Sequence, residues 1–320
     1  MSLAAEPVDP AEVPDGENRF SAMRIGDFER AWAITDRELQ EFCRSGSPKY
    51  DGPRHLQRIW RGEDLRDKRV LVRCYHGLGD TIQFARFLSP MRRMAREVVV
   101  WCQPELLSLI GGVAGVDQVI PLHDGVPDAA FDVDIEIMEI PHAIRARREE
   151  AEMCQSYLGA AGRHHVTRSQ CRPMSVGLVW AVGDWAKGRE VPALLLKRLK
   201  LPDLRLCSLQ RGPAAAAATE IGAIDISTSD IEVLAGRLRE LDLLVCVDTM
   251  VAHLSAALGC ETWIMLHSDC DWRWPASGER TFWYPSARLF HQRFPGDWSG
   301  VVESIRSALC VRATNWRSAD

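Results

Sequence analysis

The sequence predicts an α/β protein of two domains, each built on a parallel sheet. Three observations support this. Short apolar runs of strand length alternate with stretches of helical periodicity. A chain of 320 residues is long enough to bury two cores. Two strand-to-helix junctions, His76–Asp80 and Val247–Thr249, carry the small and polar residues found where parallel sheets bind ligands.

Residues 1–18 read as a disordered tail. Residues 19–53 read as a helical hairpin and linker, with apolar positions at Phe20, Met23, Ile25, Phe28, Trp32, Ile34 and Leu39. The segment Gly26–Trp32 resembles one unit of a tetratricopeptide-type hairpin. One unit cannot bury its own face, so it is expected to pack on the domain that follows. The first α/β domain is expected over residues 54–173. Its strands are Arg69–Tyr75, Val98–Gln103, Gln118–Leu122 and Phe131–Met138. Between them lie a turn at His76–Asp80, a helix over Thr81–Ala95, and a short helix over Pro104–Ile110 with proline at its start. The charged stretch from Arg145 to Pro173 reads as a solvated helix and the interdomain connection.

The second domain is expected over residues 174–320. Strands are Ser175–Trp180, Leu204–Leu209, Leu243–Val247 and Thr262–Leu266; helices are Val191–Leu199, a segment ending at Glu240, residues 249–258, and about Gly300–Arg312. Ser229-Asp230-Ile231-Glu232 reads as a capping box, and Gly259 as a C-terminal cap. Strands that alternate with helices require crossover connections. The two domains are expected to face a cleft, with ligands at the carboxyl ends of the strands.

Composition narrows the function. Apolar content of 46% and charged content of 26% are those of a soluble globular protein. A net charge of −5 gives no electrostatic case for nucleic acid as a partner. No apolar run approaches the roughly 18 residues of a membrane span. The start, MSLAAEPVDPAEVPDGEN, lacks the basic and apolar parts of a secretion signal, so a cytoplasmic location is expected. The ten cysteines are scattered without a C-x-x-C pair. Cys74, Cys102, Cys207 and Cys246 lie in apparent strands and are expected as buried free thiols. His and Cys do not cluster at metal-ligand spacing, and no Gly-x-Ser-x-Gly turn occurs, so neither a metal nor a cofactor is expected.

Val247–Gly259 is the most informative segment. Asp248 and Thr249 stand where a strand gives way to a helix, and exposed N–H groups with the helix dipole make such a junction an anion site. His253 follows Thr249 by one helical turn and can face the same ligand. Taken alone, the segment also describes a capped helix in any α/β protein. In His76-Gly77-Leu78-Gly79-Asp80-Thr81 the glycines suit a tight turn and the close approach of a ligand. Asp80 reads either as a helix-opening cap or as a general base. Position 82 is Ile, so this is not a dinucleotide fingerprint. Trp180–Arg189 offers small residues with Lys187 and Arg189, which suits a pyrophosphate. Gln210, with Arg211 beside it, can read a base or ribose. Eight of the eleven tryptophans lie beyond residue 179 and suit either sugar stacking or core packing.

In order along the chain stand Trp60-Arg61-Gly62-Glu63-Asp64-Leu65, His76–Arg86, Gly177-Leu178-Val179-Trp180-Ala181 and Ser208-Leu209-Gln210-Arg211-Gly212-Pro213. Asp248-Thr249 with Ala252-His253-Leu254, Asp271-Trp272-Arg273-Trp274 and Gly296-Asp297-Trp298 follow. Over residues 55–312 this series resembles the bacterial glycosyltransferase domain found behind tetratricopeptide repeats, which is similar to the heptosyltransferases (glycosyltransferase family 9). The resemblance implies a GT-B fold and an inverting, metal-independent transferase. It implies a nucleotide-sugar donor held by the C-terminal domain, and a glycan or protein acceptor held by the N-terminal one. It implies Asp80 as the catalytic base, with His76, Gly77, Gly79 and Gln83 on the acceptor-side turn. Asp248, Thr249, Met250, His253 and Lys187 or Arg189 would hold donor phosphate and sugar, and Gln210 and Arg211 the nucleoside. Tyr75-His76 stands where such domains carry Glu-Gln, and Arg189-Glu190 where they carry Arg-Ser. The alternatives are an epimerase on the same fold and a non-catalytic nucleotide-sugar binding module.

Overall fold

The structure is a computed structural model and describes residues 18–152, 156–158, 172–183 and 188–317. Lys187 and the pair His164-His165 lie outside the described residues. The chain divides into two compact units. One comprises Met1–Tyr157 with Asp271–Pro275, the other Leu158–Cys270 with Ala276–Asp320.

The first unit opens with α1 (Arg19–Ile25) and α2 (Phe28–Ser45). Gly26 between them has φ 80°, a left-handed turn that suits glycine. Phe28, Ala31, Trp32 and Ile34 of α2 are buried, and the Trp32 Nε1–H donates to the Ala146 carbonyl at 2.8 Å. The hairpin therefore packs on the rest of its own unit. Four parallel strands form the sheet: β1 (Arg69–Arg73), β2 (Glu97–Cys102), β3 (Gln118–Pro121) and β4 (Val133–Glu136), in the order β3-β2-β1-β4. Helices α3 (Leu78–Phe84), α4 (Leu88–Arg92), α5 (Leu107–Gly111), α6 (Ile140–Ala143) and α7 (Arg148–Glu152) connect and flank them.

The helix expected over Thr81–Ala95 starts three residues earlier and is broken by a 3₁₀ turn at Ala85–Phe87. Pro90 has no N–H to offer Arg86, and the Arg86 Nε–H takes the Gln83 carbonyl at 2.8 Å. The same early start moves Asp80 from a helix-opening position to the third residue of α3, with Gly77 as the N-cap. Neither Gly77 nor Gly79 adopts a positive φ. The turn thus makes no special conformational demand; a side chain at 77 would instead meet Asp80 Oδ2 at 3.3 Å.

The second unit holds six parallel strands: β5 (Met174–Val179), β6 (Leu204–Ser208), β7 (Ile224–Asp225), β8 (Leu243–Val247), β9 (Thr262–Leu266) and β10 (Ala287–His291). Their order is β10-β9-β8-β5-β6-β7, the doubly wound arrangement with its switch between β5 and β8. Every residue of β5, β8 and β9 is buried, which is why these strands read as continuous apolar runs. In β5, a Cβ on Gly177 would lie 2.4 Å from a Leu241 methyl, so only glycine fits. Helices are α8 (Ala218–Ile221), α9 (Ile231–Glu240), α10 (Met250–Ala257) and α11 (Trp298–Arg317). The segment expected as a helix over Val191–Leu199 is a 3₁₀ run, Ala193–Leu199, with Leu196 and Leu199 buried at the three-residue spacing that geometry stacks. Asp230, not Ser229, caps α9, accepting from the Glu232 and Val233 amides at 2.8 and 3.1 Å. The short edge strand β7 and the strand β10 were not expected, because two-residue and arginine-bearing edge strands carry little pattern.

Cys74, Cys102, Cys207 and Cys246 are buried and unbridged. Among the described residues, no helix is long and apolar enough to cross a membrane.

Candidate functional site

Open parallel sheets bind ligands where strand order reverses, outside the carboxyl ends of the strands. In the second unit that point lies between β5 and β8, whose registers pair Val179 with Cys246. Asp248 and Thr249 leave β8 here, and Arg189 follows β5. The Arg189 guanidinium donates to Asp248 Oδ2 at 2.9 Å, so this ion pair bridges the reversal. Asp248 is buried, and its other oxygen lies 3.8 Å from His253 Nε2. His253 is itself buried, with Nδ1 2.9 Å from the Tyr284 hydroxyl.

Thr249 is the N-cap of α10, yet its side chain makes no capping bond. Its Oγ1 is buried and has no hydrogen-bond partner among the described residues. An orphaned buried hydroxyl costs about 1–3 kcal/mol. It sits beside the opening amides of α10, which have no carbonyl within the helix to bond. Asp248, Thr249, Met250, His253 and Arg189 are thus brought together. Gln210, expected at the nucleoside, is held by backbone groups. Its Oε1 accepts from the Trp180 and Ala181 amides, each at 2.9 Å, and its Nε2 donates to the Arg211 carbonyl at 2.8 Å. Its amide braces the chain leaving β5, and Arg211 beside it is exposed.

In the first unit the reversal lies between β1 and β4, paired at Arg73 and Glu136. His76 Nδ1 stands 2.9 Å from Glu136 Oε1 and so spans it. Glu136 is buried, and its Oε2 accepts from the Met138 amide at 2.6 Å. Burial works against the charged His76 ring, but the bond to Glu136 and its charge outweigh that and raise the His76 pKa above 6.5. Asp80 Oδ2 accepts from the Gly77 amide at 3.0 Å, and Oδ1 is paired with Arg273. Arg273 Nε–H also donates to Gln83 Oε1 at 2.9 Å, and Gln83 Nε2 is buried without a partner among the described residues.

Sequence reasoning assigned no role to Glu136, Gln103, Tyr284 or Arg273. Arg273 stands in a quoted motif and pairs with its neighbour Asp271, but Asp80 and Gln83, its partners at the turn, are nearly two hundred residues away. Its segment groups with the first unit because Arg24 of α1 donates to the carbonyls of Trp274 and Asp271, at 3.1 and 3.4 Å. Of the later tryptophans, Trp180, Trp263, Trp274, Trp283 and Trp298 are buried, so packing is their use. Among the described residues, no group of three or more His, Cys, Asp or Glu side chains is placed to hold a metal ion.

No protein-family model matches the sequence, and no curated protein matches it. Solved structures do. A glycosyl transferase family 9 protein from Veillonella parvula aligns over 81% of this chain and 99% of its own, with a TM-score of 0.54 and 12% identity. The fold is that of glycosyltransferase family 9. The E. coli heptosyltransferase WaaC, solved with ADP, aligns over 77% of this chain and 99% of its own at a TM-score of 0.51 and 14% identity. TibC, an iron-containing dodecameric glycosyltransferase from enterotoxigenic E. coli, aligns over 75% of this chain and 67% of its own at a TM-score of 0.52 and 12% identity.

Proposed function

We propose that the protein moves a sugar from a nucleotide-sugar donor to a hydroxyl on a glycan or protein, with inversion and without a resident metal. The observation that carries this reading is the Thr249 hydroxyl, buried without a partner among the described residues at the head of α10 and next in the chain to Asp248, which pairs with Arg189. A donor diphosphate supplies what that hydroxyl and the first α10 amides lack, and the fold shared with WaaC, a structure holding ADP, fits such a ligand.

The second unit holds the donor in this reading. As the bond from the anomeric carbon to the diphosphate breaks, negative charge grows on the leaving oxygen. The α10 N-terminus and Arg189, with Lys187, meet that charge in the place of a divalent cation. A phosphate competes with Asp248 for the Arg189 guanidinium, which ties phosphate binding to a change at Asp248. The first unit holds the acceptor. The acceptor proton passes to the His76–Asp80 turn, where the resemblance implies Asp80 as the base. The buried free thiols fit a reducing, cytoplasmic setting.

The test is release of nucleoside diphosphate from ADP-, UDP-, GDP- and CDP-linked sugars in EDTA, with hydroxyl acceptors present. Release from at least one donor, faster with an acceptor, is the expected result. No release from any donor contradicts the reading. Release that returns only with added Mg²⁺, Mn²⁺ or Fe²⁺ contradicts its metal-independent part.

A further inference from the structure

We propose that His76, backed by Glu136, takes the acceptor's proton, and that Asp80 positions the acceptor hydroxyl. The inference rests on the transferase reading above and concerns which group of the turn is the base.

The two candidates differ in what surrounds them. Both Asp80 oxygens are engaged, one by the Gly77 amide and one by Arg273. A hydroxyl approaching either oxygen therefore meets one that already accepts a hydrogen bond. His76 has the opposite arrangement. The Glu136 carboxylate accepts only, which makes Nδ1 the protonated nitrogen and leaves a lone pair on Nε2. Nε2 makes no hydrogen bond to any described residue, and the side chain is 29% exposed. The His76 backbone and the Glu136 side of the pair are also held in place. The Gln103 Nε2–H donates to the His76 carbonyl at 2.7 Å, the Thr81 hydroxyl holds Gln103 at 3.0 Å, and β4 register holds Glu136.

A nitrogen base oriented by a buried carboxylate on its far side is the geometry of an activated proton acceptor. Three charges act on the ring from three elements: Glu136 at the end of β4, Asp80 in α3 and Arg273 in the segment 271–275. The two carboxylates favour the imidazolium and the guanidinium opposes it.

A lone pair on the acceptor oxygen forms the bond to the anomeric carbon. The bond from that carbon to the diphosphate oxygen breaks, and its electron pair leaves with the diphosphate. The hydroxyl proton goes to His76 Nε2, and the imidazolium, paired with Glu136, later releases it to water.

The experiment compares the whole protein with His76→Gln, His76→Ala, Glu136→Gln and Asp80→Asn. It follows nucleoside diphosphate release from the sugar nucleotides named above, with octyl glycosides and water as acceptors, across pH. Nucleoside diphosphate affinity and the melting temperature are measured alongside. His76→Gln is expected to lower kcat by about 10²–10⁴-fold while nucleotide affinity and melting stay at wild-type values. Glu136→Gln should move the acid limb of the kcat profile to lower pH. Asp80→Asn should act mainly through the KM of the acceptor. A His76→Gln kcat within threefold of wild type, or loss of kcat in Asp80→Asn alone, overturns the inference and leaves the transferase reading standing. No turnover by the wild type removes that reading and the inference together. The His76 ring titration by NMR needs no substrate: it should lie above 6.5 and fall in Glu136→Gln, and a value insensitive to Glu136 overturns the proposal.

Discussion

His142 packs between Trp32 and Trp60, with ring centroids 5.7 and 5.5 Å away, and its Nε2 stands 2.8 Å from Asp36 Oδ1. Burial disfavours its charged form and lowers its pKa from 6.5 to about 4, although Asp36 pulls the other way. Between those values the unfolded chain binds a proton that the folded one refuses. The contribution is intact above pH 6.5 and is lost as pH falls toward 4. Wild-type stability should therefore fall on acidification more steeply than that of His142→Asn, by up to about 1.4 kcal/mol per pH unit. Parallel melting series from pH 7 to pH 4.5 check this, and parallel slopes refute it. Glu139 behaves inversely. Burial raises its pKa from 4.5 to about 7, against bonds from the Glu136 and Trp60 amides. Its contribution is full below 4.5 and is lost as pH rises through 7. Glu139→Gln, which never charges, should raise the melting temperature more at pH 8 than at pH 5. Neither group was visible in the sequence, because neither belongs to a motif and both shifts come from packing.

At the scale of elements, α10 gives a test in which stability and binding separate. Thr249→Val removes the hydroxyl but keeps its shape. Since that hydroxyl makes no capping bond, the usual loss of about 1 kcal/mol for a cap should not appear, and removing an orphaned group should leave stability level or raised. Nucleoside diphosphate affinity should fall by about tenfold, as expected for one lost hydrogen bond. Calorimetry and melting on one preparation decide; equal affinity in the variant would make Thr249 a mere helix opening. The α10 junction was legible in advance because the buried run Leu243–Val247, the small polar step and Gly259 are all local signals. The ends of α3 were not. They depend on Pro90 together with Arg86, whose guanidinium is used by Gln83, Ala151 and Tyr157. The 3₁₀ run over Ala193–Leu199 was misread as a helix because leucines three apart suit both.

The whole molecule shows the same division between local and remote information. Two parallel α/β units follow from the alternation of strands and helices, and the order of weak motifs pointed to the fold that the solved neighbours share. The placement of Arg273 did not follow, because Asp271–Pro275 joins the first unit through Arg24 and Gln83, far away in sequence. Nor did the pairing of His76 with Glu136, which sheet order alone brings together. The proposed nucleoside diphosphate site lies at the β5–β8 reversal of the second unit. A melting scan of the wild type and Thr249→Val in EDTA, with ADP, UDP, GDP and CDP each at saturating concentration, tests it most directly. At least one of the four should stabilise the wild type, by about 2.7 kcal/mol at 100 times its dissociation constant, and stabilise Thr249→Val by less at equal concentration. A wild-type curve unmoved by all four nucleotides, or moved equally in the variant, contradicts it.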